Sequence, residues 1–194
     1  MNGSLAFKKE APNCLVSNPV NDNHINWAYY SNQETNSVDS TSQALICIFE
    51  SFNSTIRKRY ANLSSNNVLE LIRPSLIDIG FRVEGEINNL GQRRIRIGLK
   101  GLDGNTVKEY YVDALNEQAR YIIEVEAGQA IDNYKILKDL FEACVYPDSD
   151  YLCIAVRNVY IKDHDFEKAR QIMDSLYASK RLIIPLMGVL IIGY

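Results

Sequence analysis

The chain reads as an α/β protein with a mixed central sheet flanked by helices. Three observations predict it: apolar residues three or four apart in some stretches, alternation of apolar and polar residues in others, and unbroken apolar runs of strand length toward the C-terminus. With 194 residues, 46% hydrophobic and 23% charged, the chain suits one domain with a real core, and neither disorder nor a fibrous repeat explains it.

Residues 1–38 scatter asparagines from Asn13 to Asn36 among Pro12, Pro19 and a few aromatics, and read as an irregular polar arm anchored by Trp27, Tyr29 and Tyr30. Residues 39–194 read as a single domain. Its first element is a helix ending near Tyr60, drawn by the stripe Leu45, Ile48, Phe49, Phe52 and Ile56. Ser64, Ser65 or Asn66 can cap a second helix, VLELIRPSLIDIG, which Gly80 closes and Pro74 should bend or split. After Gly80 the period changes: FRVEGEI reads as a short strand, and RRIRIGLKG alternates basic with apolar residues like a strand with one wet face. LDGNT holds an Asp-Gly turn signal, and residues 107–114 return as a strand. A polar tip at residues 116–120 leads into the strand YIIEVEAG. Residues 129–144 show amphipathic spacing through Ile131, Tyr134, Leu137 and Phe141, residues 151–159 an apolar strand of the buried kind, residues 165–179 a helix, and LIIPLMGVLII a last strand.

The net charge of −3 argues against a protein that coats nucleic acid through positive charge alone. The average hides a split. Residues 57–100 carry nine basic side chains against four acidic ones, and residues 101–194 ten against fifteen, which suggests a basic surface beside an acidic pocket or simply two solvated faces. Cys14, Cys47, Cys144 and Cys153 lack CxxC spacing, so a zinc ribbon or redox pair is not expected. The longest apolar run, residues 182–194, contains Pro185 and Gly188 and is too short to cross a bilayer; with no secretion-like start, a cytoplasmic protein without membrane contact is expected. His24 and His164 stand in no Ser/His/Asp or Cys/His setting, and Gly98, Gly101 and Gly104 belong to a hairpin turn, not a phosphate loop.

Chemistry concentrates in YYVDALNEQARYIIEVEAG. A four-residue turn at residues 117–120 puts Asp113 directly opposite Glu124, with Glu126 on the same face, while Val112, Ala114, Tyr121, Ile123 and Val125 take the other. Like charges opposite one another destabilise a hairpin unless a cation sits between them. A hard divalent ion, Mg²⁺ or Mn²⁺, suits such oxygens and serves metal-assisted hydrolysis. The plain alternative is that Glu124 and Glu126 form the wet face of a half-exposed strand.

The D-x10-E-x-E spacing on a hairpin, preceded by a helix carrying Glu70 and followed by another helix, resembles the PD-(D/E)XK nuclease superfamily over roughly residues 65–160. The resemblance implies a restriction-endonuclease-like αβββαβ core and a Mg²⁺-dependent DNA endonuclease most like type II restriction enzymes. It makes Asp113 and Glu124 metal ligands, puts Glu126 where the family has Lys, and gives Glu70 a water-mediated metal contact. The motif departs from the family in that Glu and in lacking a leading Pro before Asp113. Lys135, in the following helix, either swings back toward the site as the missing basic group and a DNA contact or is plain helix surface, as Lys138 would be, and Gln129 at the helix start either faces phosphate or caps the helix. Arg93, Arg94 and Arg96, with Arg57, Lys58 and Arg59, are the expected phosphate contacts on double-stranded DNA, and the Asn-rich arm with Trp27 and Tyr29 is a candidate reader of bases. A palindromic site would call for a homodimer. An inactive nuclease-like DNA-binding or assembly subunit and a repair or phage junction nuclease remain as alternatives.

Overall fold

Seven strands align into one mixed sheet because the C-terminal apolar runs, buried on both faces, can only be central strands. In the computed structural model the described residues are 15–21, 23–32, 37–59, 63–85, 94–128, 134–160 and 162–194. Among them the chain forms β1 (Leu15–Ser17), β2 (Asn26–Ser31), α1 (Ser40–Arg59), α2 (Ser65–Asp78), β3 (Arg82–Val83), β4 (Ile95–Lys100), β5 (Thr106–Val112), β6 (Ala114–Asn116), β7 (Tyr121–Glu126), α3 (Lys135–Val145), β8 (Tyr151–Val156), α4 (Asp165–Ser179) and β9 (Gly188–Gly193). The main sheet runs β1-β2-β9-β8-β7-β6-β3, with β7, β8 and β9 parallel and the other pairs antiparallel.

Helices cover both faces. On one, α1 and α2 pack Leu45, Phe49, Val68, Ile72 and Leu76 against Tyr121, Ile123, Val125, Cys153 and Leu190. On the other, Ile136 and Leu140 of α3 and Phe166 and Met173 of α4 meet Leu115, Ile122, Leu152, Ile154 and Val156. Alternation along β7 therefore assigns Glu124 and Glu126 to the α3 side. Each fully buried Ile or Leu here stabilises the fold by roughly 1.5–3 kcal/mol. No helix among the described residues is long and apolar enough to cross a membrane.

Several elements fall where the residue pattern put them. The helix expected over residues 165–179 is α4, and Ser64 caps α2 by accepting the Asn67 amide at 3.3 Å. Gly80 closes α2 with φ +92°. Pro74 does not split the helix; it and Glu70 are exposed, so the carbonyl that loses its donor is solvated.

Three expectations need correction. The irregular arm is not one throughout: within residues 1–38, β1 and β2 form the sheet margin, and β2 pairs with β9 along its whole length from Asn26↔Gly193 to Ser31↔Gly188. Among its described asparagines, Asn18, Asn26 and Asn32 bond to the chain itself. Asn18 Oδ1 accepts the Trp27 amide at 2.8 Å, Asn26 donates to Asn158 Oδ1 at 2.6 Å, and Tyr29 is buried while Trp27 is partly buried against the core, so Asn18, Asn26 and Tyr29 are engaged within the fold. Secondly, residues 107–114 are not one strand. β5 pairs with β4 in a separate two-stranded ribbon, the chain bends at Asp113, and β6 rejoins the sheet between β7 and β3. Val112 thus packs with Ile95 and Ile97 in the α3-side core instead of on the opposite face. Thirdly, the last strand begins only at Gly188, with Leu182 and Ile183 exposed before it. Within the stretch read as helix over residues 129–144, α3 begins at Lys135, and residues 129–133, including Gln129, lie outside the described residues.

Because β2 shields the edge of β9, a chain lacking residues 1–38 would present an unpaired, fully apolar strand to solvent. It is expected to be insoluble or to lose most of its urea resistance. A soluble 39–194 fragment with an unchanged urea midpoint would show that β2 is dispensable.

Candidate active site

The site grows from the β6–β7 hairpin. Asn116 Oδ1 accepts the Ala119 amide at 2.9 Å inside the turn, and Arg120, with φ +54°, clamps the tip to the loop before β8 through Asp150 at 2.6 and 3.1 Å. These contacts hold the register Ala114↔Ile123, Leu115↔Ile122 and Asn116↔Tyr121. Asp113, in the bend just before β6, lies one residue past the last pair of this ladder, and continuing the register would put it opposite Glu124.

Where the backbone ladder ends at the bend, Asp113 Oδ2 accepts the Val125 amide at 2.7 Å, so a side chain replaces a strand carbonyl. Its own carbonyl accepts the Glu84 amide at 2.6 Å and ties in the end of β3. Burial pushes the Asp113 carboxyl up to about 7, with Glu84 and Glu126 adding to the rise and the Val125 amide opposing it.

Glu124 and Glu126 are each only 8% exposed, which removes the wet-face reading of this strand. Glu126 has a partner: Lys135 Nζ lies 2.9 and 2.7 Å from its two carboxylate oxygens. Lys135 thus reaches back to Glu126 from the first residue of α3, with half of its side chain exposed. Burial holds the Glu124 carboxyl well above the usual range, reinforced by Asp113, Asp139 and Glu142 and opposed by Lys138.

Two of those neighbours escaped the sequence reading. Asp139 and Glu142 sit one turn apart on the inner side of α3, 3% and 1% exposed. Among the described residues, Glu124, Asp139 and Glu142 are the one trio in which one carboxylate oxygen from each residue lies within 4.8 Å of the other two. Burial raises Asp139 to about 7, with Glu126 and Glu142 adding and Lys138 opposing. The signal for them was weak: in KILKDLFEA the apolar positions Ile136, Leu140 and Ala143 mark the buried face, and Asp139 and Glu142 each adjoin it. Lys138 Nζ is 2.9 Å from Glu142 and 3.5 Å from Asp139. Partial burial pulls its ammonium down, but these carboxylates outweigh that and hold it above its ordinary value.

The other predicted residues lie apart from this cluster. Glu70 is exposed on α2, which packs on the opposite face of the sheet. Arg94 and Arg96 lie on the exposed face of the β4–β5 ribbon, Arg94 stacking over Tyr111 at 5.2 Å and reaching Glu84 at 3.5 Å, Arg96 pairing with Glu109 at 3.3 Å. Arg93 and the side chains of Arg57, Lys58 and Arg59 lie outside the described residues.

Of the five carboxylates Asp113, Glu124, Glu126, Asp139 and Glu142, Glu126 pairs with Lys135, and Asp139 and Glu142 pair with Lys138. The donor set is all oxygen, and Asp139 Oδ2 and Glu142 Oε2 have no hydrogen-bond partner although fully buried. Such a set fits a hard divalent cation better than a soft one. Compared with known proteins, the chain matches no family model, no curated protein and no solved structure.

The raised acids set a sign for pH. A carboxyl that binds its proton more tightly folded than unfolded stabilises the fold at low pH and loses that contribution as pH rises through its folded value. For Asp113 and Asp139 the window runs from the ordinary 3.8 to about 7. With chelator present, Asp139→Asn should flatten the fall in urea stability between the acid end of this window and neutral pH. A slope equal to wild type would show that Asp139 titrates normally.

Proposed function

We propose that this protein is a metal-dependent DNA endonuclease that hydrolyses phosphodiester bonds, of the site-specific restriction type. One observation carries the reading: Asp113, Glu124 and Glu126 meet on one face of a buried hairpin, with the Lys135 ammonium brought onto Glu126 from the next helix. The order of elements supports it. α2, the antiparallel β3, β6 and β7, the crossover helix α3 and the parallel β8 follow the αβββαβ string of the PD-(D/E)XK nucleases, with the β4–β5 ribbon inserted. The acids also lie near the carboxyl end of β7, where open α/β sheets place their ligands.

Mg²⁺, or Mn²⁺ in its place, held by Asp113 and Glu124, would supply positive charge to the phosphodiester and lower the pKa of a water. The chain's own groups do the rest. Glu126 accepts the proton of the attacking water as its oxygen bonds to phosphorus and the bond to the leaving oxygen breaks, and the leaving oxygen takes a proton from solvent water. Lys135 fixes the Glu126 carboxylate and offers its charge to the phosphate, the work that a Lys at position 126 would otherwise do. Arg94 and Arg96, on the same side of the sheet as the acids, hold the flanking phosphates. A homodimer with one such site per strand is the assembly that a palindromic target requires.

Purified protein with plasmid DNA and Mg²⁺ should give discrete fragments. Asp113→Ala and Glu124→Ala should abolish them, and Lys135→Ala should slow cleavage by roughly 10²-fold or more. Smearing would point to a non-specific nuclease, and no cleavage with Mg²⁺ or Mn²⁺ would remove the enzymatic reading.

A further inference from the structure

Glu124 is more than nine-tenths buried, and among the described residues no hydrogen bond or ion pair reaches its carboxylate. It points instead at two further acids. Asp139 and Glu142 close to within 4.8 Å, and each leaves a fully buried oxygen without a hydrogen-bond partner. Three acids packed this closely, one of them unpartnered, require a shared positive charge or shared protons.

We propose that Glu124, Asp139 and Glu142 form a divalent-cation site of their own, completed by α3, in which the Lys138 ammonium is the counter-charge that an incoming cation displaces. Glu124 is then a shared ligand, facing Asp113 across the hairpin and the two α3 acids across the helix interface. Lys138 is suited to exchange: its Nζ bridges Glu142 and Asp139, yet 59% of the side chain is exposed, so it can swing into water when a cation enters. Three carboxylates completed by water fit Mg²⁺, Mn²⁺ or Ca²⁺. This site rests on the contacts of α3 and not on the nuclease reading.

Mn²⁺ binding to the full chain, followed through the electron paramagnetic resonance of the free ion, separates the two. Asp139→Asn and Glu142→Gln should each weaken Mn²⁺ binding by at least about tenfold, as loss of a charged oxygen ligand does. Lys138→Met should tighten it several-fold, because the competing ammonium is gone. In Asp113→Asn the remaining Mn²⁺ binding should still be lost on adding Glu142→Gln. Unchanged affinity in Asp139→Asn and Glu142→Gln, or no tightening in Lys138→Met, would overturn the proposal. Circular dichroism in chelator checks folding, and Lys138→Met decides should the acid variants misfold, since it alters only a half-exposed side chain. Plasmid cleavage run in parallel keeps the readings distinct. Mn²⁺ binding governed by the α3 acids without any cleavage keeps this site and removes the nuclease; cleavage with Mn²⁺ binding indifferent to α3 does the reverse.

Discussion

Burial of acids on β7 is the constraint around which the molecule is arranged. β7 lies inside a seven-stranded sheet with helices on both faces, a place that favours apolar side chains throughout, yet it carries Glu124 and Glu126. Taking an ionised carboxylate out of water costs several kcal/mol unless it is paired. The surroundings answer each acid differently. Asp113 receives a backbone amide, Glu126 receives Lys135, Asp139 and Glu142 share Lys138, and Glu124 receives neither hydrogen bond nor ion pair among the described residues. The two cores that flank the sheet offset this cost, and β7 contributes to both of them, Tyr121, Ile123 and Val125 on one face and Ile122 on the other.

The same constraint decides what the sequence could disclose. The register that would put Asp113 opposite Glu124 follows from strand period and turn length alone, and Arg120 and Asn116 hold the turn that the spacing implies. The helical stripe of α1 is equally plain, because that helix buries one face against the sheet. Asp139 and Glu142 were hidden because charged residues on an amphipathic helix ordinarily face water, and their burial depends on how α3 docks. β2 was missed for a related reason. Asn26 reads as a loop former, but it is buried against Asn158, a partner 132 residues away that no local pattern reveals. Nor does the alternation of β4 and β5 say which sheet they join; the bend at Asp113 decides that by releasing β5 from the main ladder.

The charge split now has a spatial meaning. Arg94 and Arg96 lie on a ribbon whose inner residues, Ile95, Ile97 and Val112, belong to the same core as α3. The basic ribbon and the acidic cluster therefore share one side of the sheet. A net charge of −3 averages over this side, where a cation bound among the acids would change the field acting on any phosphate held by the arginines.

α3 is the element that joins these effects. It contributes two of the acids, Asp139 and Glu142, and both ammonium groups, Lys135 and Lys138, each pair on one helical turn. Its approach is set by the chain's exit from β7, where Gly128 takes φ +112° and leaves no room for a Cβ against the Tyr160 ring, and by Tyr134 at φ +55° before the first turn. Ile136, Leu140 and Ala143 then lock the helix onto the sheet. A rigid-body shift of α3 would move its acids and ammonium groups together, so the distances between Glu124, its two α3 neighbours and Lys138 depend on how the helix packs. A site built in this way holds its acids close at the expense of local stability. Such a preorganised cluster of oxygens has its charge matched only when a cation or protons arrive.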